Sequence, residues 1–362
     1  MTKSKNPHKK PKIAHLNKRK ILTQRVKMDN LNACPAKLSH LSHLQNLPFL
    51  QDLPTLQKGA VFIADSHYRA DYVANKKHDL DFATKPNIAK SNSTKSNAQT
   101  INAKKSNTTQ KNATQENIDS LFLAKLDSLI ISPPPQVFFM GDIADLFIGH
   151  IPSSARQNRH LIQKINALSQ KCEVFYFEGN HDFGIDSSLL PNVKIYPRIA
   201  QPALFDFVGK IYALAHGDIF IDKGYEIYIR AMNVAMILSG FRILDILSLG
   251  KIYDFIRQKV HKKRIKRLDF SQNGFYDFAK KRTQKYINNA SKSSQNLNSN
   301  KISETSEISG ISGIIEGHFH IGQRAQITDF RQDLQHAKNT KESIDYISLP
   351  SFFCHQDFFT LS

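Results

Sequence analysis

Five short apolar runs limit what this chain can fold into more than any other feature of its sequence. They lie at residues 59–65, 135–142, 172–182, 210–218 and 312–320, and each ends in polar residues. A continuous run of this length is typical of a strand that is buried on both faces. Apolar residues with helical spacing lie between some of the runs, at 117–130 and 154–171. This alternation predicts a layered α/β fold, in which ligands bind at the carboxyl ends of the strands.

The residues that end these runs are mostly carboxylates and imidazoles. In chain order the motifs are DSH with Asp65 and His67, GDIAD with Asp142 and Asp145, GNHD with Asn180, His181 and Asp182, HGD with His216, and GHFH with His318 and His320. Each motif alone is explained by a helix cap, a turn or a pair of histidines on one strand face. A succession of such motifs, each at a strand end, predicts a shared site instead.

The candidate ligands indicate a metal site. Oxygen and imidazole ligands without a thiolate favour Mn²⁺, Fe²⁺ or Zn²⁺. Residues separated by one position on a strand point to the same face, so Asp65 can converge with His67. Seven candidates are too many for one ion but suit two: Asp65, His67, Asp142, Asn180, His216, His318 and His320. A bridging carboxylate would hold two ions about 3.5–4 Å apart, the spacing of two-metal phosphoryl-transfer sites.

In this order, the motifs resemble those of the calcineurin-like metallophosphoesterases over roughly residues 57–358. The resemblance implies a β-sandwich flanked by helices, with two divalent ions, Mn²⁺ first among the candidates. It implies one ion on Asp65, His67, Asp142 and His320, and a second on Asp142, Asn180, His216 and His318. His181 would contact the phosphate, as would Asn180, and would protonate the leaving oxygen. Asp145 would orient a ligand, and Asp182 would be structural.

Composition divides the chain into one domain, residues 57–362, with additions. The additions are a basic, disordered N-terminal extension at 1–56, disordered Lys/Asn/Ser-rich insertions at 84–117 and 290–310, and a helical basic insertion at 222–289. The net charge of +19 comes from two segments: residues 1–27 hold ten basic and no acidic side chains, and 251–290 hold twelve basic against three acidic. Such patches favour polyanions, although residues 1–27 are also explained as a solvated tail, and Met28 is an alternative start.

The segment after His216 is first apolar and then basic, with helical periodicity. It is explained either as a helical hairpin packed on the sheet or as a surface that holds acyl chains beside an anionic bilayer. Together with Asp222, Tyr225 and Arg230, it resembles the UDP-2,3-diacylglucosamine pyrophosphatases of lipid A synthesis. That resemblance implies hydrolysis to UMP and 2,3-diacylglucosamine 1-phosphate, with those three residues binding the substrate.

The expected location is the cytoplasm, peripheral to the inner membrane. No apolar run of about 18 residues exists, residues 1–27 do not resemble a secretory signal, and the three separated cysteines fit a reducing compartment. No obligate protein partner is expected.

Two other functions remain open. A phosphodiesterase or nuclease acting on nucleotides or nucleic acid would also use the positive charge. A basic binding protein with a vestigial metal site is the non-enzymatic alternative. A continuous apolar face with a basic rim over residues 223–268 would favour lipid, and scattered basic residues would favour nucleic acid.

Overall fold

Strands and helices alternate along most of the computed structural model, which describes residues 53–70, 103–232, 235–263, 265–297, 310–328 and 343–362. The strands in this part of the chain are β1 (Val61–Ile63), β2 (Gln136–Phe139), β3 (Phe147–Ile148), β4 (Glu173–Phe177), β5 (Asp182–Phe183), β6 (Val193–Tyr196), β7 (Ala203–Phe207), β8 (Lys210–Ala215), β9 (Ile311–Glu316), β10 (Gln323–Ile327), β11 (Ile344–Ser348) and β12 (Phe359–Thr360). The helices are α1 (Ala103–Ile131), α2 (Pro152–Gln157), α3 (Arg159–Ser169), α4 (Lys223–Met232), α5 (Ala235–Leu247), α6 (Lys251–His261), α7 (Gln272–Leu297) and α8 (Phe352–His355). The predicted α/β class is confirmed.

The strands form two five-stranded sheets and one two-stranded sheet. The first has the order β12-β1-β2-β4-β6 and the second the order β10-β11-β9-β8-β7. Strands β1, β2, β4 and β6 are parallel, as are β8, β9 and β11. The small sheet pairs β3 with β5. Because the parallel strands run the same way, the polar residues that follow them collect at one edge of each sheet.

The two large sheets pack face to face through aromatic side chains. Phe138 on β2 stacks between Phe62 and Phe175 of the neighbouring strands, with ring centroids 4.7 and 4.5 Å apart. Phe205 of the second sheet meets Phe138 edge to face at 5.4 Å. All four rings are buried, and large buried aromatic rings contribute strongly to a core. This apolar contact holds the two sheets together.

Helices cover the outer faces of both sheets. Helices α1 and α3 pack on the first sheet, where Phe122 and Ile165 enter the same buried cluster as Phe139. Helix α7 packs on the second sheet through Phe275 and Tyr286. The resulting order is helix, sheet, sheet, helix. Helices α5 and α6 form a further cluster with β3 and β5.

The insertion predicted at 222–289 is helical and comprises α4 to α7. Helix α1 begins at Ala103, however, so residues 103–117, expected to be disordered, continue the predicted helix toward the amino end. This stretch has no proline or glycine to stop a helix. Helix α7 likewise runs to Leu297, into the segment expected to be disordered at 290–310. Residues 84–102 and 298–309 lie outside the described residues.

The domain begins slightly earlier than residue 57. Leu56 is buried, and its amide donates to the carbonyl of Asp206 at 2.7 Å. All described residues fall within one compact unit, Phe49–Ser362, whereas residues 1–52 of the predicted extension are outside the description. Among the helices that can be described, none has the length and apolar character needed to cross a membrane.

Candidate metal centre

The predicted ligands follow strands of both large sheets. Asp65 and His67 follow β1, Asp142 follows β2 and Asn180 follows β4, while His216 follows β8, and His318 and His320 follow β9. The amide of His318 donates to Asp65 Oδ2 at 2.9 Å, and the amide of Gly317 donates to the carbonyl of His216 at 2.7 Å. The sandwich therefore brings the ligand loops of both sheets to one place.

These side chains form three groups, in each of which the ligand atoms lie within 4.8 Å of one another. The groups are Asp65, His67 and His320; His67, Asp142 and His181; and Asp142, His216 and His318. The first group holds three of the four side chains predicted for one ion, without Asp142, and the third holds three of the four predicted for the other, without Asn180. His67 and Asp142 each belong to two groups, so the three groups are continuous. Each group has the composition and spacing to hold a metal ion.

The ligand backbones have an unusual conformation. Asp65, His67, Asp142, His318 and His320 all have positive φ angles, between 46° and 67°. Residues other than glycine rarely adopt this region, and each instance costs roughly 1–3 kcal/mol. The left-handed turn after each strand directs the side chains toward their common centre. Strain of this kind persists only where the surrounding structure holds it.

Glycines leave the space that these side chains fill. A Cβ atom at Gly141 would lie 2.4 Å from His216 Nδ1, and one at Gly179 would lie 2.3 Å from Asp142 Oδ1. Gly141 also has a φ of +83°. Gly141 of GDIAD and Gly179 of GNHD are therefore required because the side chains of His216 and Asp142 lie too close to their backbones to admit a Cβ atom.

Buried polar atoms without a hydrogen-bond partner support a bound cation. Within the described part of the chain, they include both ring nitrogens of His67 and Asn180 Oδ1. A buried acceptor without a partner costs about 1–3 kcal/mol, and coordination of an ion would remove that cost. The donor set contains carboxylate, imidazole and amide groups, which suit Mn²⁺, Fe²⁺ or Zn²⁺. The residues present therefore fit divalent metal ions.

The electrostatics of the cluster also favour cations. Burial would raise the pKa of Asp142, but the imidazoles of His216, His181 and His67 hold it well below the usual range. Burial lowers the pKa of His67 to about 3 and that of His318 to about 4, so both rings are neutral and retain a lone pair. Burial of the His216 ring opposes its protonation, but Asp142 and Asp65 raise the pKa of His216 to about 9. The carboxylates of the centre thus favour positive charge beside them.

The residues assigned to catalysis lie beside these groups. His181 donates its amide to Asp142 Oδ1 at 2.8 Å, and its Nδ1 is 2.7 Å from the carbonyl oxygen of Asp145. The Asp145 carboxylate faces the ring of His67, with Oδ1 3.8 Å from Nδ1. His181 is therefore held at the centre through its amide and its Nδ1.

Asp182, expected to be structural, braces the loop that carries Asp142. Its Oδ1 accepts from the amides of Asp142 and Gly179, both at 2.8 Å, and its Oδ2 accepts from Tyr176 Oη at 2.6 Å. With both oxygens engaged by the protein, Asp182 positions a ligand and does not contribute one.

The predicted substrate residues lie on or near α4. Asp222 is exposed and accepts from the amide of Tyr225 at 2.9 Å, which caps the helix. Tyr225 Oη is 3.4 Å from Asp218 Oδ2, and burial together with Asp218 and Asp142 raises the pKa of Tyr225. Arg230 lines a cavity beside the helix. Of the three, Tyr225 is the residue whose electrostatic contacts reach the metal ligands.

The motifs did not reveal several residues that support the site. Arg69 Nε is 3.1 Å from Asp145 Oδ2, and His261 Nε2 is 3.2 Å from the same oxygen. Gln201 Oε1 accepts from the amide of His216 at 2.7 Å. Burial, with Arg69 and Arg257, lowers the pKa of His261 to about 3, so this ring is neutral. Arg69 follows DSH closely, but nothing in the sequence marks His261 or Gln201.

Comparison with protein-family models and with curated protein sequences yields no match to this chain. The residues and geometry of the chain provide a cluster of Asp, His and Asn side chains at the strand ends of a two-sheet α/β fold.

Proposed function

We propose that this protein is a dinuclear-metal phosphoesterase of the calcineurin-like type that hydrolyses the pyrophosphate bond of UDP-2,3-diacylglucosamine. The observation that carries the proposal is that Asp142 belongs both to the group with His216 and His318 and to the group with His67. A carboxylate common to two ligand groups is what a two-metal site requires. The face-to-face sheets flanked by helices are consistent with the same family.

The ligands would hold the ions in the division described above, with Asn180 completing the second set. When bound, two divalent ions make water a stronger nucleophile and neutralise phosphoryl charge. His181 acts as the acid. Although burial opposes it, Asp142 and Asp145 raise the pKa of His181, which favours its protonated form. With Nδ1 at the Asp145 carbonyl, Nε2 carries the proton to the leaving phosphate oxygen. No covalent enzyme intermediate is needed.

A neighbouring cavity supports a lipid-linked substrate. It has a volume of about 670 Å³ and lies between α4, α5 and the residues near Arg198. Its lining combines apolar side chains, among them Ile185, Ile219 and Leu238, with the cation of Arg230. Apolar walls with a few polar groups are typical of small-molecule sites. Such a lining suits acyl chains joined to a phosphorylated head.

The test is hydrolysis of the substrate itself. Purified protein incubated with Mn²⁺ and UDP-2,3-diacylglucosamine should release UMP and 2,3-diacylglucosamine 1-phosphate in equal amounts. Mass spectrometry measures both products. Chelation of the metal should abolish the release, because the ions supply the electrophilic stabilisation. Cleavage of a generic aryl phosphodiester without UMP release would retain the phosphoesterase and reject the lipid substrate. No turnover of either compound would reject the enzymatic proposal.

The nuclease alternative rests on exposed basic residues that directly follow α6, whose last residue, His261, contacts Asp145. Lys262, Lys263, Lys266 and Arg267 are all exposed. Basic residues near a catalytic site attract phosphate backbones. A nucleic-acid site is not expected to expose the apolar side chains that α5 carries. We therefore favour the lipid substrate over nucleic acid. Single-stranded RNA in the same assay distinguishes the two.

We also propose that the insertion docks on an anionic bilayer at the cytoplasmic face of the inner membrane. Five large apolar side chains near the end of α5 are exposed: Ile243, Leu244, Ile246 and Leu247 on the helix and Leu249 just after it. The buried Asp245, between them, accepts from the amide of Ser153 at 3.0 Å and anchors the inner side. Exposed Arg242, Lys251 and Lys259 flank the surface. Apolar residues with a basic rim are typical of helices that lie in a membrane interface.

Leu244→Asp/Leu247→Asp should weaken binding to phosphatidylglycerol-containing vesicles by at least tenfold, because burying each leucine contributes about 1.5–3 kcal/mol. Vesicle co-sedimentation measures the binding. Ile131→Asp is the matched control, since Ile131 is 82% exposed on α1, away from the insertion. Equal loss of binding in both variants, or none in either, would contradict docking through α5.

A further inference from the structure

The helical insertion reaches the candidate metal centre through the last residue of α6. His261 Nε2 lies 3.2 Å from Asp145 Oδ2, and Arg69 Nε lies 3.1 Å from the same oxygen. The Arg69 guanidinium also donates to the carbonyl oxygen of His261 at 3.4 Å. His261, Asp145 and Arg69 therefore form a closed set of contacts between the insertion and the loops after β1 and β2.

The position of His261 is fixed by the rest of α6. Tyr253 is 2% exposed, and its Oη donates to the carbonyl oxygen of Leu146, the residue after Asp145, at 2.9 Å. The next residue, Asp254, accepts at Oδ1 from Nε2 of Gln157, the last residue of α2, at 2.6 Å. Helix α6 is thus packed against the segment that carries Asp145. Because a helix is rigid over this length, these contacts determine where His261 lies.

Asp145 transmits this arrangement to two residues at the centre. Its Oδ1 faces His67 Nδ1 at 3.8 Å, and its carbonyl oxygen is 2.7 Å from His181 Nδ1. Neither His67 nitrogen has a hydrogen-bond partner in the described structure. Nδ1 is the one that faces the Asp145 carboxylate, so Nε2 is the nitrogen that remains for an ion. A carboxylate at the second nitrogen orients a metal-binding imidazole and raises its basicity.

We propose that His261 is a positioning residue of the metal centre, which holds the Asp145 carboxylate against His67 and so sets the affinity of the ion that His67 binds. The inference rests on the proposed two-metal site and adds that the insertion is part of its support. The geometry gives a specific consequence. His261 affects the ion held with Asp65 and His320, whereas the ion held by His216 and His318 is unaffected.

The test is Mn²⁺ binding to the full-length protein in the absence of substrate. Electron paramagnetic resonance and calorimetry measure the number of bound ions and their affinities. Wild-type protein should bind two ions. His261→Ala should weaken one of the two binding steps by about 10–100-fold, the usual effect of losing a residue that supports a ligand. His261→Gln should recover most of that affinity, because its amide nitrogen can replace the donor at Nε2. Lys262→Ala, an exposed neighbour, is the matched control and should bind as wild type.

A double-mutant cycle separates positioning from a general effect on folding. If His261 acts through Asp145, adding His261→Ala to Asp145→Asn should lose no further Mn²⁺ affinity. Additive losses, or unchanged affinity in His261→Ala, would overturn this inference while leaving the two-metal proposal intact. Failure of the wild-type protein to bind Mn²⁺ would overturn both. Should His261→Ala unfold, His261→Phe, which keeps a ring but has no donor, replaces it in the same cycle.

Discussion

Asp142→Asn should abolish phosphoester hydrolysis and weaken Mn²⁺ binding at both sites. Asp142 is 3% exposed, contacts His216 Nε2 through Oδ1 at 3.6 Å, and is shared by two ligand groups. Removing one electrostatic stabiliser of a transition state costs about 10²–10³ in rate. Because this substitution removes the charge that serves two ions, we expect a loss of at least about 10³-fold. Initial rates with UDP-2,3-diacylglucosamine, together with Mn²⁺ titration, measure it.

Asp186→Asn is the matched control for this substitution, since it makes the same chemical change at an exposed position. It should retain wild-type activity and metal binding. Asparagine at 142 keeps an oxygen that can accept from the His181 amide, so circular dichroism should report a folded protein. Wild-type rates in Asp142→Asn would refute the bridging role and with it the two-metal assignment.

Arg282→Leu should lower the free energy of unfolding by about 3–5 kcal/mol, the usual cost of leaving a buried charge without its partner. Arg282 on α7 donates to both oxygens of Glu316, at 2.8 and 2.6 Å, and Glu316 is fully buried. Tyr286 and Tyr346 also donate to this carboxylate. Arg282 further donates to the carbonyl oxygen of Gly217 at 3.1 Å. Urea denaturation measures the loss.

Two variants identify the cause of that loss. Lys281→Leu, on the exposed side of the same helix, should change stability by less than about 0.5 kcal/mol. Arg282→Leu/Glu316→Gln should recover part of the loss, because the unpaired buried charge is removed. If the double variant is less stable than Arg282→Leu, the packing of α7 rather than the ion pair carries the effect. Glu316 directly precedes the GHFH loop, so Mn²⁺ affinity should fall with stability.

Local pattern was sufficient to locate the strands that carry the ligands. All five predicted runs contain a strand: β1, β2, β4, β8 and β9. They are continuous apolar stretches because each strand is covered on one face by the other sheet and on the other by a helix. The other strands were not predicted, among them the buried β11, whose apolar residues are interrupted by Asp345. Strand β10 alternates between partly buried and exposed residues, and β12 has two residues, so neither leaves a clear apolar run.

Composition was a poorer guide to the insertions. Lys, Asn, Ser and Gln predicted disorder over 84–117, yet α1 starts at Ala103. Once nucleated, a helix continues until a residue stops it. Gln115 and Ile118 of α1 are buried, and such anchored turns nucleate a helix.

The sequence alone determined the types of candidate ligand, their order and their place at strand ends, because apolar periodicity and polar strand ends are local properties. Tertiary structure decided which side chains belong to two of the candidate ligand groups and which residues support the site. That Asp142 belongs to two groups depends on the packing of one sheet on the other. Arg69 meets His261 across 192 positions of sequence, and Arg282 meets Glu316 across 34. Contacts between residues so far apart in sequence depend on how the layers of the fold pack. A local sequence pattern does not predict that packing.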